Sequence, residues 1–125
     1  MTAHAELVSL LDSTPYTIYD HDVYDHPTYP YVLVNRGRPA FFDRAMTRVP
    51  HGRDVSWLLT PVGQSRAAVT GMCDTIIDLL EGARVAGQRL EYEPTGVDVE
   101  QEEGLLINGL PVFFSKLTFN LKLPT

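Results

Sequence analysis

The sequence predicts an α+β fold, in which an antiparallel or mixed β-sheet carries two helices packed on one face, plus an extended β-hairpin arm. Three observations predict it. Residues 65–82 have a single apolar arc at about 100° per residue, residues 113–123 alternate apolar and polar, and short β-prone runs separated by turn residues make up most of the rest. A helix with one apolar face must cover something. Ordering its backbone costs roughly 1–2 kcal/mol per residue, and each large side chain returns roughly 1.5–3 kcal/mol only when it is buried. A sheet with one apolar face provides that cover.

Taken in order, residues 2–12 place Leu7, Val8, Leu10 and Leu11 at helical spacing, with Thr2 as N-cap and Pro15 past the end. Residues 16–19 are a brief β-prone segment. The Asp-His-Asp-Val-Tyr-Asp-His-Pro run at 20–27 reads as an exposed loop, and Tyr31-Val32-Leu33-Val34 as an interior strand ending at Asn35-Arg36-Gly37. The chain then turns basic: Arg36, Arg38, Arg44, Arg48 and Arg53 face only Asp43, with Phe41 and Phe42 among them. Residues 41–49 are expected to form the arm, paired through the Pro50-His51-Gly52 turn with a strand at 55–62. In that strand Val55, Trp57 and Leu59 alternate with Ser56, Leu58 and Thr60, and Pro61 marks its end or a sheet edge.

The central helix sets Val69, Met72, Cys73, Ile76, Ile77, Leu79, Leu80 and Ala83 on one arc, with Ser65 as N-cap and Gly82 as the residue that closes it. Residues 88–93 form a strand with Leu90 and Tyr92 on one face. Residues 94–104 are an acidic loop containing Asp98, Glu100, Glu102 and Glu103. In the last strand Phe113, Ser115, Leu117, Phe119, Leu121 and Leu123 point inward while Lys116, Thr118, Asn120 and Lys122 point outward. The Asn108-Gly109 turn upstream pairs this strand either with 103–107 or with 90–93.

Composition narrows the function classes. A chain of 125 residues, 44% hydrophobic and 21% charged, sustains one core, so a single domain spanning 1–125 is expected. No apolar run approaches 18 residues and the N-terminus lacks a basic start before an apolar stretch, so neither a membrane span nor a signal peptide is expected. The lone Cys73 excludes a disulfide framework and reads as a small core hydrophobe. The net charge of −6 argues against general affinity for nucleic acid.

Catalytic patterns are sparse. Asp20-His21-Asp22 with Asp25-His26, joined by His4 or His51, offers carboxylates and imidazoles that bind zinc, iron or manganese or serve in acid–base chemistry. Their spacing matches no ligand signature, and the simpler reading is a solvated loop whose aspartates favour turns. The glycine-rich phosphate loop, G-x-S-x-G, C-x-x-C and H-E-x-x-H are absent from the sequence. No catalytic, cofactor or metal residues are therefore assigned. The arginine-rich segment reads as a solvated arm, a protein-binding surface or, against the overall charge, a nucleic-acid contact. Residues 36–53 are basic and 91–103 acidic, so copies of the chain can meet head to tail, and such contacts close into rings when the rotation allows.

The N-terminal helix, the Tyr-Pro-Tyr-Val-Leu-Val strand, the arginine-bearing arm, the strand ending Thr60-Pro61-Val62-Gly63, the helix closing Leu80-Glu81-Gly82-Ala83-Arg84 and the final strand from Pro111-Val112-Phe113-Phe114 to Leu121 together resemble the tail terminator proteins of long-tailed bacteriophages. The likeness spans about 29–123. It implies an α+β sandwich and a homohexameric ring on the last ring of the tail tube, ending tube growth and presenting a surface to head-completion or neck proteins. The implied location is the virion, at the junction of tube and neck, after assembly in the host cytoplasm. It implies no catalytic site. Six spheres of ~35 Å diameter leave a central hole of ~35 Å, through which duplex DNA passes.

On that picture Arg36, Arg38, Phe41, Phe42, Arg44, Arg48 and Arg53 are expected to meet the neighbouring subunit or the major tail tube protein. Asp98, Glu100, Glu102 and Glu103 are expected to line the channel or complement the arm. The alternatives are a small metal-dependent enzyme using residues 20–26, and a non-viral α+β adaptor domain.

Overall fold

The computed structural model describes residues 2–23, 27–36, 53–94 and 99–123. The elements run α1 (Ala3–Leu11), β1 (Thr17–Asp20), β2 (Tyr31–Arg36), β3 (Arg53–Gly63), α2 (Arg66–Leu80), β4 (Arg84–Val85), β5 (Gln88–Arg89), β6 (Glu91–Glu93), β7 (Glu100–Ile107), β8 (Leu110–Phe114) and β9 (Leu117–Leu123). A mixed sheet with two helices is an α+β fold. The arm expected at 41–49 lies outside the described residues.

β3 is the strand on which the sheet is built. It pairs antiparallel with β2 on one side and with β9 and the end of β8 on the other. β1 joins β2 in parallel, β7 pairs with β8, and β6 pairs with β9, so both partners expected for the final strand are used, by different halves of it. The two halves are one line of pairing: Leu59 lies opposite Leu117 and Val62 opposite Phe114, with no change of register between them. The gap between β8 and β9 has a local cause. Ser115 N–H donates to the Pro61 carbonyl at 3.2 Å, and proline has no N–H to return. Pro61 thus interrupts a central strand rather than marking its end or an edge.

Alternation decides the faces. Val32 and Val34, Val55, Trp57 and Leu59, and Leu117, Phe119 and Leu121 share one face and are buried. Leu7 and Leu11 of α1 and Met72, Ile76 and Leu80 of α2 join them in one cluster, so both helices cover that face. The caps are the expected ones. Thr2 accepts from Ala5 N–H at 3.1 Å and Ser65 from Ala68 N–H at 3.0 Å, each satisfying an orphan amide of the first turn. Cys73, Ile77 and Leu79 are half-buried at the margin of the arc, and burial pushes the Cys73 thiol pKa up.

Three further expectations are corrected. Residues 100–104 belong to β7, not to a loop; the Asn108-Gly109 turn, with φ of 54° and 78°, folds them back along β8. That pairing overrides the weak strand preference of glutamate. Residues 88–93 form two short strands, because a second tight turn at Ala86-Gly87 pairs β5 with β4 before Leu90 enters the core. Phe113 is only half-buried and lies under the Arg66 guanidinium, 5.3 Å from ring centre to Cζ. Among the described residues, no helix is long and apolar enough to cross a membrane.

Candidate functional site

Two places in the described structure gather unusual chemistry: a histidine–aspartate cluster at one end of the helix-covered layer, and the sheet face the helices leave open. The cluster begins with His4, which helical spacing puts on the same side of α1 as Leu7 and Leu11. From there its Nδ1 accepts the indole N–H of the fully buried Trp57 at 3.1 Å. On its outer side Nε2 lies 2.9 Å from Oδ1 of Asp20, the last residue of β1. His21, held at φ 70°, turns back so that Nδ1 also bonds Asp20 Oδ1, and its Nε2 accepts the backbone N–H of Arg36 at 3.4 Å.

These donors dictate the tautomers. Trp57 Nε1 and the Arg36 amide can only donate, so the nitrogens facing them are acceptors, and the imidazole protons sit on His4 Nε2 and His21 Nδ1. Both protons point at one carboxylate oxygen. Partial desolvation raises the Asp20 pKa, but the hydrogen bonds and proximity of His4 and His21 together outweigh it, and the net shift is downward.

The three ligand atoms, within 4.8 Å of one another, are close enough to hold a metal ion. The outer hydrogen bonds are wrong for it. A histidine that ligates a metal normally donates its other ring N–H to an acceptor, whereas here both outer nitrogens receive a proton. Metal at His4 Nε2 would require either an imidazolate or loss of the bond that satisfies Trp57. The cluster is therefore a polar clasp joining α1, β1, β2 and β3. Of the other residues weighed for this site, Asp22 is exposed and Asp25, His26 and His51 lie outside the described residues.

Among the described residues, neither helix covers the opposite face of the sheet. Tyr31 and Leu33 of β2, Thr60 and Val62 of β3, and Val112 and Phe114 of β8 line a groove of about 340 Å³, with Tyr29, Glu102, Leu105 and Lys116 at its margins. The β7–β8 hairpin projects past the end of β3. Gln101 pairs with Phe113 and Leu106 with Pro111, so four residues of β7 bulge opposite one of β8, with Gly104 at φ 75° allowing the bend. Beyond the bulge stand Leu106, 64% exposed, Leu110, 50%, and Leu105, 38%, the exposed large hydrophobics among the described residues.

Of the residues expected at an interface, Arg36 is exposed at the end of β2 and Arg53 begins β3. Arg38, Phe41, Phe42, Arg44 and Arg48 lie outside the described residues, as does Asp98. Glu100, Glu102 and Glu103 are exposed on β7, where the bulge and the paired strand hold them. Among the described residues, the ion-pair contacts are those of His4 and His21 with Asp20. The exposed leucines were not singled out from sequence; their signal is apolar residues on both sides of the Asn108-Gly109 turn, Leu105-Leu106-Ile107 before it and Leu110 after it. No protein-family model matches the chain, and no curated protein matches it either.

Proposed function

We propose that this chain is a structural virion protein that forms a ring on the phage tail tube, ends tube polymerisation and joins the tail to the head-completion or neck proteins. The observation that supports this reading is the separation of charge along β3. The basic segment 36–53 leaves the sheet at Arg36, opposite Trp57, and returns at Arg53, whereas Glu100 pairs with Phe114 beside Val62 and Glu102 and Glu103 follow it on the hairpin, about 30 Å of strand from Arg53. Opposite charges at opposite ends of one rigid sheet favour head-to-tail contact between copies over contact within a copy.

The partners of this reading are further copies in a homohexamer, the major tail tube protein and the neck protein, with DNA crossing the channel without specific binding. Fixed negative charge repels phosphate, so an acidic lining suits that passage. The test is assembly of the purified chain with its tube protein, followed by image averaging of capped tubes. Rings of cyclic symmetry at one tube end, and tubes of limited length, are the expected result. Tubes that grow equally long in its presence, or virions carrying the chain elsewhere than the tube-to-neck junction, would overturn the proposal.

A further inference from the structure

We infer that His21 ends the β1–β2 pairing with a proton-sensitive rung, in which a neutral imidazole holds the last amide of β2 and an imidazolium releases it. The inference is independent of the ring reading.

β1 and β2 run parallel, with Asp20 opposite Val34. One residue on, the His21 N–H still donates to the Val34 carbonyl at 2.9 Å, but φ of 70° turns the chain out of the strand. The acceptor for the Arg36 amide is then a side chain rather than a carbonyl of β1: the His21 ring Nε2 takes that N–H at 3.4 Å. A carbonyl accepts at any pH, whereas an imidazole nitrogen accepts only while it carries no proton. Histidine changes charge between about pH 5 and 8, a range to which a rung closed by a carbonyl is indifferent.

Geometry also decides which histidine takes the proton. The two rings lie 5.2 Å apart and share Asp20 Oδ1, so charge on one opposes charge on the other. On His4 a second proton would face the indole N–H of Trp57, which is fully buried, so no solvent replaces the lost bond. On His21 it faces a backbone amide at the exposed end of a strand, and the His21 side chain is itself 49% exposed against 17% for His4. His21 is therefore charged first. Among the described residues, the charged and titratable groups that meet this ring are Asp20 of β1 and His4 of α1, with Asp22 following on its own turn and Arg36 on β2; β3 meets the pair through the uncharged Trp57. Desolvation raises the Asp20 pKa, but the bonds from the two histidines bring it below its ordinary value, so the carboxylate stays ionised and keeps hold of the charged ring. Protonation thus costs the bond to Arg36, the residue at which the basic segment leaves the sheet.

The test is an NMR titration of the full-length chain from about pH 8 to about pH 5, following the ring nitrogens of both histidines, the Trp57 indole N–H and the Arg36 amide. The His21 ring should take up its proton in that range, with the Arg36 amide shifting at the same midpoint. Arg36 exchange protection, corrected for the intrinsic pH dependence of exchange, should fall about five-fold, the worth of one hydrogen bond. The indole proton should not move in that step. In His21→Gln, whose amide oxygen replaces Nε2 as an acceptor and does not titrate, the Arg36 amide should be flat across the range, with circular dichroism as the check on folding. A His21 ring still neutral at the acid end, an Arg36 amide unmoved as His21 charges, His4 taking its proton first with a shift of the indole signal, or a folded His21→Gln chain with the wild-type response would each overturn the inference. The wild-type titration decides the first three whether or not the variant folds.

Discussion

Replacing His4 with alanine tests the clasp where its energetics are best defined. Trp57 is fully buried and its indole N–H has His4 Nδ1 as its partner at 3.1 Å. Leaving that donor unsatisfied costs about 1–3 kcal/mol. The bond to Asp20 adds little, about 0.5 kcal/mol or less, because that carboxylate is 48% exposed. The imidazole itself is 17% exposed, and loss of its packing contributes about 1 kcal/mol more. A destabilisation of about 2–4 kcal/mol follows, or roughly 10 °C in Tm for a domain of this size. Trp57 is the single tryptophan, so its fluorescence in a urea titration reports both the loss of stability and the altered environment of the indole. His4→Gln, which can offer an amide oxygen to the indole, should recover part of the loss. A His4→Ala midpoint within about 0.5 kcal/mol of wild type would refute the argument that the clasp is structural. So would excess zinc raising the wild-type midpoint, because tight binding at 100 times Kd stabilises by about 2.7 kcal/mol.

Other outcomes follow from the same structure. Asp20 has a lowered pKa in the folded chain, so its contribution to stability is complete above the unfolded carboxylate value of 3.8 and disappears as pH falls through the lower folded value. Asp20→Asn should therefore flatten the acid limb of a stability–pH curve, and an unchanged limb would count against the bonds from His4 and His21. Ile76→Ala, at a fully buried position where α2 meets the sheet, should cost about 2–5 kcal/mol in urea unfolding; a loss under about 1 kcal/mol would mean that α2 does not pack on the sheet. Gly109→Ala meets no atom within 4 Å but must hold φ near 78°, so a cost of about 1 kcal/mol, with amide exchange rising first in β7 and β8, is expected. Protection unchanged across the hairpin would show that the turn does not set its register.

Much of the layout was legible in the chain because periodicity depends only on which side of an element meets water. The arc of α2, the alternation through Leu117, Phe119 and Leu121, and the caps at Thr2 and Ser65 are such features. What was misread involved a partner distant in sequence. Glu100 looks like loop until β8 pairs with it, with Glu102 and Glu103 in the bulge that follows, and Pro61 looks like an end until Val32 pairs with it on one side and Ser115 bonds it on the other. His4 lay on the buried side of α1 by spacing alone, yet its role required Trp57 and Asp20, 53 and 16 residues away.

By itself the sequence determined the class of fold, the apolar faces and the uneven distribution of charge, since each follows from local composition and a fixed repeat. Tertiary structure alone decided the rest. It joined His4, Asp20 and His21 into a clasp on Trp57, because only folded geometry shows which ring nitrogen meets a donor. Among the described residues it also left one sheet face without a helix and raised Leu106 and Leu110 into solvent, because both helices pack on the other face and β3 ends before the hairpin does.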